Sequence, residues 1–189
     1  MGSWTDVANS VCPVARALAI VGERWTILIL RELFLGSCRF EEIQAQTEIS
    51  SQLLATRLKR LEADGLVERR PYSRRPLRYE YRLTEMGRDF FPVMFALRAW
   101  GERWCKSEDE ELAVRFTHRK CGHDAGLGPT CAACGEPIYG RRELDAELGP
   151  RFAQERSKRR TAFNVRAHRV GEPGDHHAQR PAPARARTG

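Results

Sequence analysis

The chain has 189 residues, 41% of them apolar and 30% charged, and carries a net charge of +7. This length suits one good core plus a small appendage, and no apolar run approaches the roughly 20 residues of a membrane span. Arg16 and Glu23 flank the short apolar run Ala17–Val21, which argues against a signal-peptide core, so a cytoplasmic, nucleoid-associated location is expected.

Charge placement is more informative than the total. Residues 151–189 hold ten Lys/Arg and three Asp/Glu, which is the whole excess of +7, while residues 1–150 hold 22 of each sign. Within that balanced part, Arg57–Arg82 carries nine basic residues against four acidic ones. A local basic patch on a neutral body is an electrostatic footprint for a polyanion. Of the six cysteines, Cys12, Cys38 and Cys105 are solitary, while Cys121, Cys131 and Cys134 are grouped, which fits metal binding or thiol chemistry better than a disulfide framework.

Along the chain, Pro13 suits a first helical turn, and Val14, Ala17, Leu18 and Val21 recur at helical spacing up to Gly22. Arg24–Leu35 is apolar nearly all round, which predicts a buried central helix capped by Gly36. Phe40–Gln46 reads as a short helix. Ser50 or Ser51 can cap the next one, in which Leu54, Leu58 and Leu61 share a face and Gly65 ends the run. Leu66–Arg70 and Arg78–Leu83 read as strands, with a basic tip from Pro71 to Pro76. After Thr84, Phe90, Met94, Leu97, Gly101 and Trp104 form a heptad-like seam, with an interruption expected near Phe91 because of Pro92. Phe91, Phe95 and Trp100 lie off that seam, and a dimer partner is expected to cover them. Glu143–Leu148 is predicted as one more helical stretch, and the chain from Arg151 to Gly189 has the composition of a disordered basic tail.

A helix can read the major groove if one face is anchored and the other carries groups that reach base edges. Ser51, Gln52, Ala55 and Thr56 supply such groups: Gln52 can pair bidentately with adenine, and Ala55 or Thr56 can touch a thymine methyl. Arg57, Lys59 and Arg60 are placed for phosphates, and Arg74 and Arg75 for a neighbouring groove or backbone.

These stretches resemble the HxlR-type branch of winged helix-turn-helix regulators, within the MarR-like group. The matching residues are Cys12-Pro13, Glu23–Leu33, Gly36 with Arg39-Phe40 and Ile43, Arg57–Val67, Tyr81–Thr84 and Trp100-Gly101. The resemblance implies a mainly α fold with a small β-hairpin wing over residues 10–107, a homodimer built from the terminal helices, and no catalytic activity. It implies a transcription regulator, expected to be a repressor, on double-stranded DNA at a palindromic operator with half-sites roughly 34–36 Å apart. Several such regulators use a cysteine placed like Cys12 to sense electrophiles. Here Cys12 precedes Pro13 at a helix start, where the positive end of the helix dipole favours a thiolate, so a small electrophilic effector is expected.

Residues 112–140 form a second expected unit. His118-x-x-Cys121-Gly122 and Cys131-x-x-Cys134-Gly135 repeat one knuckle pattern, and two knuckles supply four tetrahedral ligands for structural zinc. His123 competes with His118 for the fourth place.

Overall fold

The structure is a computed structural model that describes residues 9–107 and 109–171. Helix α1 (Pro13–Val21) begins where Cys12, in extended conformation, takes the N-cap position and Pro13 the first helical one. Only Val21 of its apolar residues is buried; Val14 and Leu18 stay 63% and 45% exposed. Helix α2 (Arg24–Phe34) is the central element, with Ile29 and Leu30 fully buried.

Helices α3 (Phe40–Thr47) and α4 (Ser51–Ala63) are joined by Glu48, in the left-handed region at φ 56°, followed by Ile49 and Ser50. The Glu42 carboxylate accepts from the backbone N–H groups of Cys38 and Arg39 at 3.0 and 3.1 Å, satisfying donors that the start of α3 would otherwise leave open. Ser50 Oγ does the same for α4, accepting from the Leu53 N–H. Leu54, Leu58 and Leu61 then pack with Ile29, Leu30 and Ile43 in the first core.

Strands β1 (Val67–Arg74) and β2 (Leu77–Leu83) pair antiparallel from Val67↔Leu83 to Arg74↔Leu77. The first strand runs past Arg70, where sequence alone ends it, because a bulge between Pro71 and Ser73 takes up the proline and lets pairing resume. The tip is therefore only Arg75-Pro76. A bridge between Arg39 and Glu80, and the Tyr81 N–H donating to the Cys38 carbonyl at 2.7 Å, fasten this wing to the entry of α3.

Thr84 caps helix α5 (Glu85–Asp89), and helix α6 (Phe91–Trp104) restarts at Phe90 with Pro92 in its first turn. Gly87 touches the start of the wing so closely that a Cβ there would sit 2.0 Å from the Leu66 carbonyl oxygen.

Three expectations are corrected in the C-terminal part. Phe91 and Phe95 are indeed off the seam, but their cover comes from the same chain: they are buried with Val114, Phe116, Ala125, Cys131, Ile138 and Leu144 in a second core. Phe95 packs edge-on to Phe116 at 5.5 Å, whereas Trp100 remains exposed. Second, Leu144–Leu148 is a strand, β4, paired antiparallel with β3 (Val114–His118) after a 3₁₀ turn at Arg141–Glu143. Its alternation of Leu144, Ala146 and Leu148 with acidic residues has the strand period of two.

Third, the basic stretch from Arg151 is ordered as helix α7 (Pro150–Gly171). Arg156 forks onto both oxygens of Glu32, at 2.8 and 2.7 Å, and Glu32 has no exposed side-chain surface. Phe152 packs against the second core, and the Arg159 guanidinium donates to the Gln46 carbonyl at 3.2 Å. Residues 172–189, the remainder of the expected tail, lie outside the described residues.

Candidate nucleic-acid interface and Cys/His cluster

Because Leu54, Leu58 and Leu61 anchor α4, its opposite face is free: Ser51, Gln52, Ala55, Thr56, Lys59 and Arg60 are all exposed. The Thr56 hydroxyl donates to the Gln52 carbonyl at 2.9 Å, which orients it and leaves its oxygen able to accept. Arg60 pairs with Asp64 at 2.8 Å with the guanidinium 64% exposed, a surface ion pair weak enough to exchange for a phosphate.

Arg57 departs from its expected role. Its side chain is three-quarters buried and forms an ion pair at 3.0 Å with Glu23, ahead of α2, so it braces α4 against the body. Arg74 and Arg75 stand exposed at the wing tip. The Arg39 guanidinium lies 4.7 Å from the Tyr72 ring centroid, tying the wing to the start of α3, and Arg69 stacks similarly on Tyr79 at 4.5 Å.

Sequence reasoning missed the contribution of α7. Arg159 and Arg166 share a hollow with Gln44, Glu48 and Ser51, so this helix passes beside the N-terminus of α4. Arg160 pairs with Glu42 at 3.5 Å. The only signal for this placement was the density of basic residues.

Away from α4, the two knuckles bring His118, Cys121, Cys131 and Cys134 together, with one ligand atom from each within 4.8 Å of all the others. Gly122 and Gly135 follow the second member of each pair at φ 73° and 76°, and each returns its N–H, at 2.8 Å, to the carbonyl of the first member. The backbone can turn this way because glycine tolerates positive φ. His118 Nδ1 lies 3.6 Å from Cys121 Sγ and 3.3 Å from Cys134 Sγ, and the sulfurs of Cys121 and Cys131 are 3.7 Å apart. A tetrahedral ion with metal–sulfur bonds of about 2.3 Å and metal–nitrogen bonds of about 2.0 Å sets S···S near about 3.8 Å and S···N near about 3.5 Å. The sulfur separation is far beyond the ~2.05 Å of a disulfide.

Backbone N–H donation from Cys134, opposed by desolvation, leaves the Cys131 thiol lowered to about 6. His123 instead points its Nδ1 at the Cys121 carbonyl at 2.7 Å and is exposed, so it stands outside the cluster. Cys12 is a free, exposed thiol whose N–H donates to Ser10 Oγ.

A family model described as HxlR-like helix-turn-helix matches residues 20–109. The uncharacterised HTH-type transcriptional regulator Rv3095 of Mycobacterium tuberculosis is 43% identical over 139 residues, covering 74% of this chain and 87% of its own. The chain belongs to the HxlR-like helix-turn-helix family. Its matches in this HxlR-like family are transcriptional regulators rather than enzymes. YodB of Bacillus subtilis, an HTH-type transcriptional regulator, is 36% identical over 105 residues, covering 54% of this chain and 94% of its own. Among solved structures, PA1607, itself proposed to be a transcription factor, superposes with a TM-score of 0.59 at 35% identity, over 70% of this chain and 92% of its own. The match to Rv3095 is too long to fit within residues 20–109, so that similarity extends beyond the winged-helix part. Among the described residues no helix is long and apolar enough to cross a membrane.

Proposed function

We propose that this HxlR-like regulator binds a palindromic operator as a homodimer, reads it with the exposed face of α4, and represses by occupying it. The supporting observation is that face itself: Ser51, Gln52, Ala55, Thr56 and Lys59 stand outward on a leucine-anchored helix, beside a wing tipped by Arg74 and Arg75. Gln52, Ala55 and Thr56 act as readers, while Lys59, Arg60 and the wing arginines engage phosphates; Arg57 serves through its brace on Glu23.

The dimer is supported by exposed apolar residues on two helices that both pack against α2. These are Val14 and Leu18 on α1, and Val93, Trp100 and Trp104 on α6. Cys12, at the start of α1, senses small electrophiles by altering that surface when its thiol is modified. His118, Cys121, Cys131 and Cys134 hold a structural zinc ion, because four protein ligands at these separations leave no open position for a reacting water.

Selection of bound sequences from random duplex DNA, with and without a quinone, tests this reading. An inverted repeat should be recovered. Gln52→Ala should relax preference at one or two positions, and Lys59→Ala should weaken binding to every sequence and lower the salt slope by about one. The quinone should release the wild-type protein but not Cys12→Ser. Unchanged preference in Gln52→Ala would remove it from the readers, and equal release of Cys12→Ser would remove the sensor.

A further inference from the structure

A hollow of about 330 Å³ lies where α2, α6, β3 and α7 meet, a size near the lower end of small-molecule sites, which run from about 300 to 1,000 Å³. Phe34, Phe91, Met94, Phe95 and Phe152 make its wall apolar. Four cations line the same space. Two are matched by carboxylates: Arg31 by Glu32 and Lys106 by Glu102, each at 2.8 Å.

The other two, Arg98 and Arg141, form no ion pair among the described residues. Arg98 donates to the carbonyls of Val114 and Gly126, and Arg141 to that of Leu144, while the Nε of each is buried with no hydrogen-bond partner. Both guanidiniums lie against one ring, at 4.9 and 5.5 Å from the Phe116 centroid. Burial pulls both below the usual arginine range; Glu102 and Asp124 offset this in part for Arg98 and Asp145 for Arg141, but among the described residues none of these carboxylates comes within ion-pair distance. Two half-buried like charges sharing an aromatic ring without a directly paired carboxylate are costly, and an anion seated beside them removes part of that cost.

We infer that this hollow binds a small amphipathic organic acid, its apolar body among the phenylalanines and its carboxylate toward Arg98 and Arg141. Carboxylate recognition by guanidinium is charge-assisted, which separates an acid from a neutral compound of the same shape. Arg98 belongs to α6 and Arg141 to the turn before β4, so the site depends on the C-terminal part being folded onto the winged helix.

The test is calorimetric titration of the full-length protein with octanoate and 2-naphthoate, each beside its primary amide, with no DNA present. An acid should bind saturably, its amide at least about ten-fold more weakly. Arg141→Met should reduce acid affinity about ten-fold and leave the amide unchanged. Gly101→Phe should abolish binding of both, because Gly101 lines the hollow and an added Cβ there meets no atom within 4 Å, leaving the ring room to enter it. Melting curves on both variants verify that they fold. Equal affinity for acid and amide overturns the anion site, and no saturable binding by either acid, the result expected if a second copy fills the hollow, overturns the proposal.

Discussion

A carboxylate with no solvent exposure, as at Glu32, persists only when its oxygens are satisfied, and here Arg31, Ser37 and the fork of Arg156 do so. Removing one partner of such a pair strands the other charge. Glu32→Gln or Arg156→Met should therefore destabilise the fold by about 3 kcal/mol, whereas replacing both with apolar residues of similar volume should recover most of the loss. A double-mutant cycle by urea unfolding measures this; additive effects would show that the two groups act independently. Nothing in the sequence pointed to this pair, because its members lie 124 positions apart and Arg156 falls in a stretch whose composition reads as a disordered tail. Arg57 failed to match expectation for a related reason: its helical position was legible, its partner Glu23 was not.

Local order explains which elements could be foreseen. Helix α4 was readable from Leu54, Leu58 and Leu61 because its cap, periodicity and stop all lie within 16 residues, Ser50 to Gly65. Helix α7 was not, since its own composition is poorly suited to a core and its order comes from Glu32, Gln46 and the second core. Strand β4 carried a period-two signal in only five residues, too short to compete with a helical reading. The Cys/His knuckles were legible from spacing, and geometry decides between His118 and His123. If zinc holds them, the purified protein should contain about one ion per chain by elemental analysis. Chelation should lower the melting temperature, and Cys131→Ser should abolish retention. Protein that carries no metal when made in zinc-supplemented cells would refute the site.

At the scale of the whole molecule, helix α6 serves both cores found among the described residues, giving Met94 to the first and Phe91 and Phe95 to the second. Among its exposed apolar residues, Trp100 at 58% and Trp104 at 66% exposure belong to neither. Trp100→Glu with Trp104→Glu should give a monomer by sedimentation and weaken operator binding by about a hundred-fold or more, since one reading head loses the effective concentration supplied by the other. A double variant with the same mass as the wild-type protein would show that these tryptophans do not form the proposed dimer interface.

The Glu32–Arg156 pair also has a consequence for the order in which the protein is made. Glu32 and every leucine that anchors α4 leave the ribosome long before Arg156. During that interval Glu32 lacks both the Arg156 fork and the cover that α7 lays over it, and keeps only Arg31 and Ser37 as protein partners. The winged-helix half therefore gains the stabilisation of this pair only when almost the whole described chain has been synthesised, and a prematurely terminated product is expected to be more exposed to proteolysis.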